Sequence, residues 1–93
     1  MNKIRAVVLD PDKDNVAVAL TDLEPGETIN LKSGRVKLKE KIPYQHKFST
    51  KNIEIEENII KVGEIIGKAT VKIQSGFHVH VHNMIGLRAR RGT

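Results

Sequence analysis

The 93-residue chain contains four histidines, and three of them fall in one run, His78-Val79-His80-Val81-His82-Asn83. Imidazole titrates nearest neutrality of the side chains, and its neutral form is a common ligand of divalent metals. In an extended strand alternate side chains share a face, so His78, His80 and His82 would line one face about 6.6 Å apart, with Val79 and Val81 on the other. Two imidazoles at that spacing can converge on one ion or one anionic substrate. The same alternation is the ordinary pattern of a half-buried strand, and no Cys or flanking Asp or Glu completes a ligand set. On spacing alone both readings stand.

The elements that must hold this run belong to one small domain. With no Trp, one Tyr and two Phe, its core must be built from Val, Ile, Leu and Ala. The absence of Cys excludes a disulfide framework and a thiolate metal centre. It also agrees with a reducing cytoplasm. No apolar run reaches the length of a membrane span, and the opening residues lack the apolar stretch of a signal peptide. The expectation is a soluble cytoplasmic protein without membrane contact. The net charge is +5. It is concentrated in Lys32 to Lys41, broken by Glu40, and in a basic C-terminal tail over 87–93 with Arg88, Arg90 and Arg91. Such patches suit nucleic acid, an acidic partner chain or a small anion. The aromatic residues on which a single strand would stack are nearly missing, so nucleic acid ranks last.

β-Branched residues and frequent turn signals predict a mostly β domain of many short strands over residues 1–86, with at most one or two short helices. Ile4 to Leu9 stops at Asp10-Pro11-Asp12, and Val16 to Leu20 follows. Leu23-Glu24-Pro25-Gly26-Glu27 is a tight turn in which Pro presets one dihedral and Gly supplies the unusual one. Thr28 to Leu31 and Arg35 to Leu38 form a hairpin about Ser33-Gly34. Further strands are expected at Ile53 to Ile55, Asn58 to Val62, Ala69 to Ile73 and the histidine run. A short helix fits Ser49 to Ile53, with Ser49 or Thr50 as its cap. An apolar–turn–apolar frame recurs at 23–29, 55–60 and 73–79, the rhythm of a folded-over β structure.

Four blocks in order, Asp14-Asn15-Val16-Ala17-Val18-Ala19, His46-Lys47-Phe48, Ile60 to Ala69 and Gly76 to Asn83, resemble the SAF-type domain of the altronate/galactarate dehydratase family. The resemblance covers roughly residues 3–85. It implies a compact β-clip fold, fused to a large catalytic region or encoded as a separate small subunit. Related two-subunit enzymes include a sulfolactate sulfo-lyase. It also implies a hydro-lyase that dehydrates a sugar acid with a divalent metal, iron or manganese. The matching positions are His46, Lys47, His80, His82 and Asn83, with Asp14, Asn15, Lys61 and Glu64. Gln45 stands where the family often has Gly, and Val62 where it often has Tyr. His78 lies outside the matching set.

Dehydrating a hydroxy acid removes a proton beside a carboxylate and expels hydroxide, so the transition state gathers negative charge that cations or a metal would stabilise. The resemblance therefore casts His80, His82 and His46 as catalytic, with His80 and His82 also as metal ligands. Lys47, Lys61, Asn83 and Asn15 become substrate-binding groups. A chain this small, with few acids near its histidines, is expected to share its site with a large catalytic chain and a small anionic sugar acid; self-association is left open. The competing reading from another class is a free-standing module that binds metal or an anionic sugar without catalysis.

Overall fold

Alternation of small and β-branched residues lets Val16-Ala17-Val18-Ala19 bury side chains on both faces, and this strand is the spine of the molecule. In the computed structural model, which describes residues 4–87, strands β1 (Ala6–Val7), β2 (Val16–Ala19), β5 (Lys47–Ser49) and β8 (His78–Val79) form an antiparallel central sheet in that order. A hairpin, β3 (Thr28–Leu31) with β4 (Gly34–Lys37), stands apart. A three-stranded sheet of β6 (Asn58–Lys61), β7 (Glu64–Ala69) and β9 (Met84–Gly86) makes up the rest. Ala17, Ala19 and Phe48 join one apolar cluster with Leu23, Ile29, Leu38 and Ile42. Val16 and Val79 join a second with Ile53, Ile59, Ala69 and Ile73. The central sheet is thus covered on both faces, which explains why β2 reads as a continuous apolar run.

The two clusters are two copies of one arrangement. Leu23 bridges Ile42, and Ile53 bridges Ile73. Gly26 donates its N–H to Leu38 O at 2.8 Å, and Glu56 to Ala69 O at 2.8 Å. Even the side-chain turn closures match. Glu24 N–H donates to Glu27 Oε2 as Glu54 N–H does to Glu57 Oε1, and Tyr44 N–H to Asp22 Oδ1 as Ser75 N–H does to Asn52 Oδ1. The β3–β4 hairpin therefore corresponds to β6–β7, and β5 to β8. Of the frames read from the sequence, those at 23 and 73 are in register. The one begun at Ile55 is two residues late, because Ile53 is fully buried whereas Ile55 is 57% exposed. A fourth copy, Ile42 to Phe48, goes unread because its turn puts Gln45 at φ 71°, where Gly26 and Gly76 sit at φ 90° and 91°; Gln gives no signal for that conformation.

Three further expectations need correction. No helix forms at Ser49 to Ile53: Ser49 closes β5, and its hydroxyl donates to Gln74 O at 2.6 Å rather than capping a turn. Ala69 to Ile73 is not a strand, since β7 runs through Gly67 to Ala69 and only Ile73 re-pairs. The histidine run is extended only at His78–Val79. The basic tail beyond Leu87 lies outside the described residues.

Candidate functional site

Strand register assembles the histidines. β5 and β8 pair Lys47 with Val79 and Phe48 with His78, and continuing that register by one residue sets His46 opposite His80. Their rings stack with centroids 4.6 Å apart and planes 10° from parallel. His78, two residues before His80 and so on the same face, completes the stack at 5.0 Å from His46 and 5.3 Å from His80. His46 Nδ1 and His78 Nε2 lie 2.8 Å apart in a hydrogen bond whose donor depends on the tautomer.

After Val79 the chain turns. His80 O accepts the N–H of Asn83 at 3.0 Å and of Met84 at 3.1 Å, which swings Val81 out to 82% exposure. The turn nevertheless returns His82 to the cluster, 5.5 Å from His78. All four histidines are gathered, by a turn and not by the straight strand expected. Asn83 fixes that turn. Buried, it donates from Nδ2 to His78 O at 2.7 Å and accepts the His80 N–H on Oδ1 at 2.9 Å. Glu40 Oε1 accepts the His78 N–H at 2.9 Å. The outer edge of β8 is therefore closed by two side chains in place of a further strand.

Lys47 lies between His46 and Phe48 on β5 and pairs with Val79, so it shares the Val79 face of the sheet, opposite the imidazole stack. Among the described residues the ion pairs are Arg5–Glu27 and Lys72–Glu54, so neither Lys47 nor Lys61 has a carboxylate partner. Burial and then the neighbouring Lys61 ammonium push the Lys47 pKa below its ordinary value. Burial, then His46, His80 and His82, lower His78, against an opposing pull from Glu40. Burial, His46, Lys47 and His82 lower His80. The imidazoles and Lys47 thus raise the local positive potential, with Glu40 beside His78 and Asp14 near Lys61 as the opposing carboxylates.

Asp14 and Asn15 lie apart from this cluster and face the backbone. Asn15 is buried, donating to Asn58 O and accepting from Ile60 N, each at 2.8 Å. Asp14 accepts the N–H groups of Asp10, Val62 and Gly63. Glu64 pairs with Lys61 across the β6–β7 hairpin without a salt bridge. Glu40 is the participant sequence reasoning passed over, and His78, read on the candidate face but left outside the matching set, joins the cluster. The signal for Glu40 was its place as the lone acid in Lys32 to Lys41.

The imidazoles do not by themselves make a metal centre. Near-parallel stacked rings send their in-plane lone pairs side by side, whereas ligands of one ion must converge on it at about 2.0–2.1 Å. Among the described residues no three His, Cys, Asp or Glu side chains are grouped to hold an ion.

The family model for the altronate/galactarate dehydratase SAF domain matches residues 5–86. The chain belongs to that family. It is 43% identical over 70 residues to an altronate dehydratase of Escherichia coli K12, and 37% over 71 residues to one of Bacillus subtilis 168. Those matches cover 75% and 76% of this chain but only 14% of each enzyme. It is 30% identical over 84 residues to (2R)-sulfolactate sulfo-lyase subunit alpha of Chromohalobacter salexigens, covering 84% of this chain and 89% of that subunit. As a SAF domain related to sugar-acid lyases, this fold carries its histidine cluster where both copies of the internal repeat end.

Proposed function

We propose that this SAF domain is the small subunit of a sugar-acid hydro-lyase, lending an anion-binding wall to a site completed by a separate large catalytic chain. The observation that carries the reading is the gathering of all four imidazoles into one cluster, with Lys47, which has no salt-bridge partner among the described residues, near enough to lower the His80 pKa. In this reading the lysines take the substrate carboxylate. A neutral imidazole, His80 or His82, exchanges a proton with the substrate, a role typically worth 10²–10⁴-fold. His46 orients the stack through His78, and Asn83 holds the turn. Asn15 supports the site from behind through β6. The divalent ion implied by the family resemblance belongs to this reading as an ion held mainly by the large chain, with His80 and His82 offered to it.

A two-chain organisation is favoured by the relative of matching length being a subunit. That relative also supports a second reading within the class, a lyase acting on a sulfonated hydroxy acid. Co-purification from the source organism, followed by keto-acid assays on altronate, galactarate and sulfolactate with ferrous or manganous ion, tests both. The expected result is a large partner and turnover that His80→Ala or His82→Ala abolishes without changing the melting temperature by more than a few degrees. Full activity in both variants would sink the histidine roles. No partner and no turnover would leave a binding module.

A further inference from the structure

The duplication leaves one of its two hairpins unfinished. In the second copy β9 lies along the outer edge of β7, pairing Lys68 with Ile85 and Ala69 with Met84, and Thr70 N–H donates to Asn83 O at 3.0 Å. In the first copy Lys39 N–H donates to Gly76 O at 2.9 Å in place of that last bond, but β4 has no strand on its outer side. Leu38 directs its N–H to Glu27 O and its own O to Gly26 N–H, both on the β3 side. By alternation the Arg35 N–H and O and the Lys37 N–H point the other way, where they meet no partner among the described residues. Such a row of unpaired backbone groups is a template for a further strand.

The edge carries charge of one sign. Arg35, Lys37 and Lys39 are exposed and two residues apart, so they share a face, while Val36 and Leu38 are buried on the other. Across the hairpin, Asn30 opposite Arg35 and Thr28 opposite Lys37 are uncharged. The ion pairs among the described residues, Arg5–Glu27 and Lys72–Glu54, leave these cations without a carboxylate. Two β4 edges brought together would set like charges side by side, whereas an incoming strand with alternate carboxylates would pair with them. Lys39 is bonded to Gly76, two residues before His78, so a strand laid on β4 belongs to a chain seated beside the histidine turn. Resting on the two-chain reading above, we propose that β4 receives an extended, acidic segment of the large catalytic chain, paired with the backbone at Arg35 and Lys37.

The test is amide hydrogen exchange of the full chain, alone and with the large chain that co-purifies with it and turns over a sugar acid. The Arg35 and Lys37 amides are expected to exchange fast in the free chain and about tenfold more slowly in the complex, while Val36, which faces β3, changes little. Arg35→Glu with Lys37→Glu is expected to lower recovery of the large chain about tenfold, and less steeply at high salt. Arg35→Gln with Lys37→Gln, expected to give a smaller loss in the same direction, covers the case in which charge reversal loosens the fold. Lys68→Glu, at the equivalent position on β7, is expected to leave recovery unchanged. Undiminished recovery in the folded variants, or unprotected Arg35 and Lys37 amides in the complex, would overturn the edge assignment while leaving the two-chain reading standing. Protection that grows with the concentration of the chain alone would make a second copy the occupant and overturn it likewise. Absence of a large partner would remove the two-chain reading, and the inference with it.

Discussion

At the turn that carries the site, the Asn83 carboxamide joins the backbone on either side of Val79, donating to His78 O and accepting from His80 N–H. Removing it leaves two part-buried backbone groups without partners, at a cost of about 1–3 kcal/mol. Asn83→Ala should therefore lower stability by that amount, read in urea unfolding. The four imidazole C–H resonances should also lose dispersion as the stack loosens, whereas a side chain that merely touched ligand would leave them unchanged. The histidines themselves set a pH limit. Burial and their neighbours lower His78 and His80 below the ordinary 6.5, so the unfolded chain takes up protons first as pH falls. Their contribution to stability is complete above about pH 6.5 and declines below it. The melting temperature should drop between pH 7.5 and 5.5, and His78→Gln should flatten that drop; an equal drop in the variant would rule out His78 as its source. His80 and His82 were legible from spacing and resemblance, but His46 and His78 meet only through the register of β5 with β8. No local pattern encodes that register.

The β6–β7 hairpin turns at Val62 and Gly63, both at positive φ, 55° and 71°. A two-residue turn of that kind selects Asn-Gly or Gly-Gly, and a β-branched residue there is strained by roughly 1–2 kcal/mol. The Asp14 carboxylate holds it, taking the Val62 N–H at 2.9 Å and the Gly63 N–H at 2.8 Å. Burial would raise the Asp14 pKa, but the N–H groups of Gly63, Val62 and Asp10, with Lys61, outweigh it and keep the group below its ordinary 3.8. Its contribution is therefore lost only as pH falls below that value. Asn15 repairs the bulge between Ile59 and Ile60 by bonding to Ile60 N and Asn58 O. Asp14→Ala is expected to cost about 2–3 kcal/mol, and Val62→Asn to return about 1 kcal/mol in either background. Urea midpoints of the four proteins check both values, and a destabilising Val62→Asn would contradict the strain. The first hairpin was legible at Ser33-Gly34, but the strand expected over Asn58 to Val62 overran the Val62-Gly63 turn and β7 went unread. The sequence also misled at Ser49, whose capping chemistry is spent on a distant carbonyl.

Across the whole molecule, Leu23 and Ile53 occupy equivalent places, each fully buried and each anchoring one apolar cluster. Leu23→Ala and Ile53→Ala should each cost about 2–5 kcal/mol. Because the clusters lie on opposite faces of the central sheet, the double variant should be additive within about 0.5 kcal/mol. Strong coupling in chemical denaturation would show the two cores to be one. The many-stranded β architecture was legible because turn residues and β-branched runs are local signals. The duplication was only half legible, since Gln45 and Glu56 adopt glycine-like backbones that no composition betrays. In that duplication β5 is used twice: it ends the first copy and, lying where β2 lies for the first, begins the second. Each copy thus passes to the next across an antiparallel strand pair. β8 is the edge of that sheet, so a further strand would dock against its outer side. Glu40 and Asn83 occupy that side, so the groups that hold the histidine turn also act as a chain terminator for strand addition.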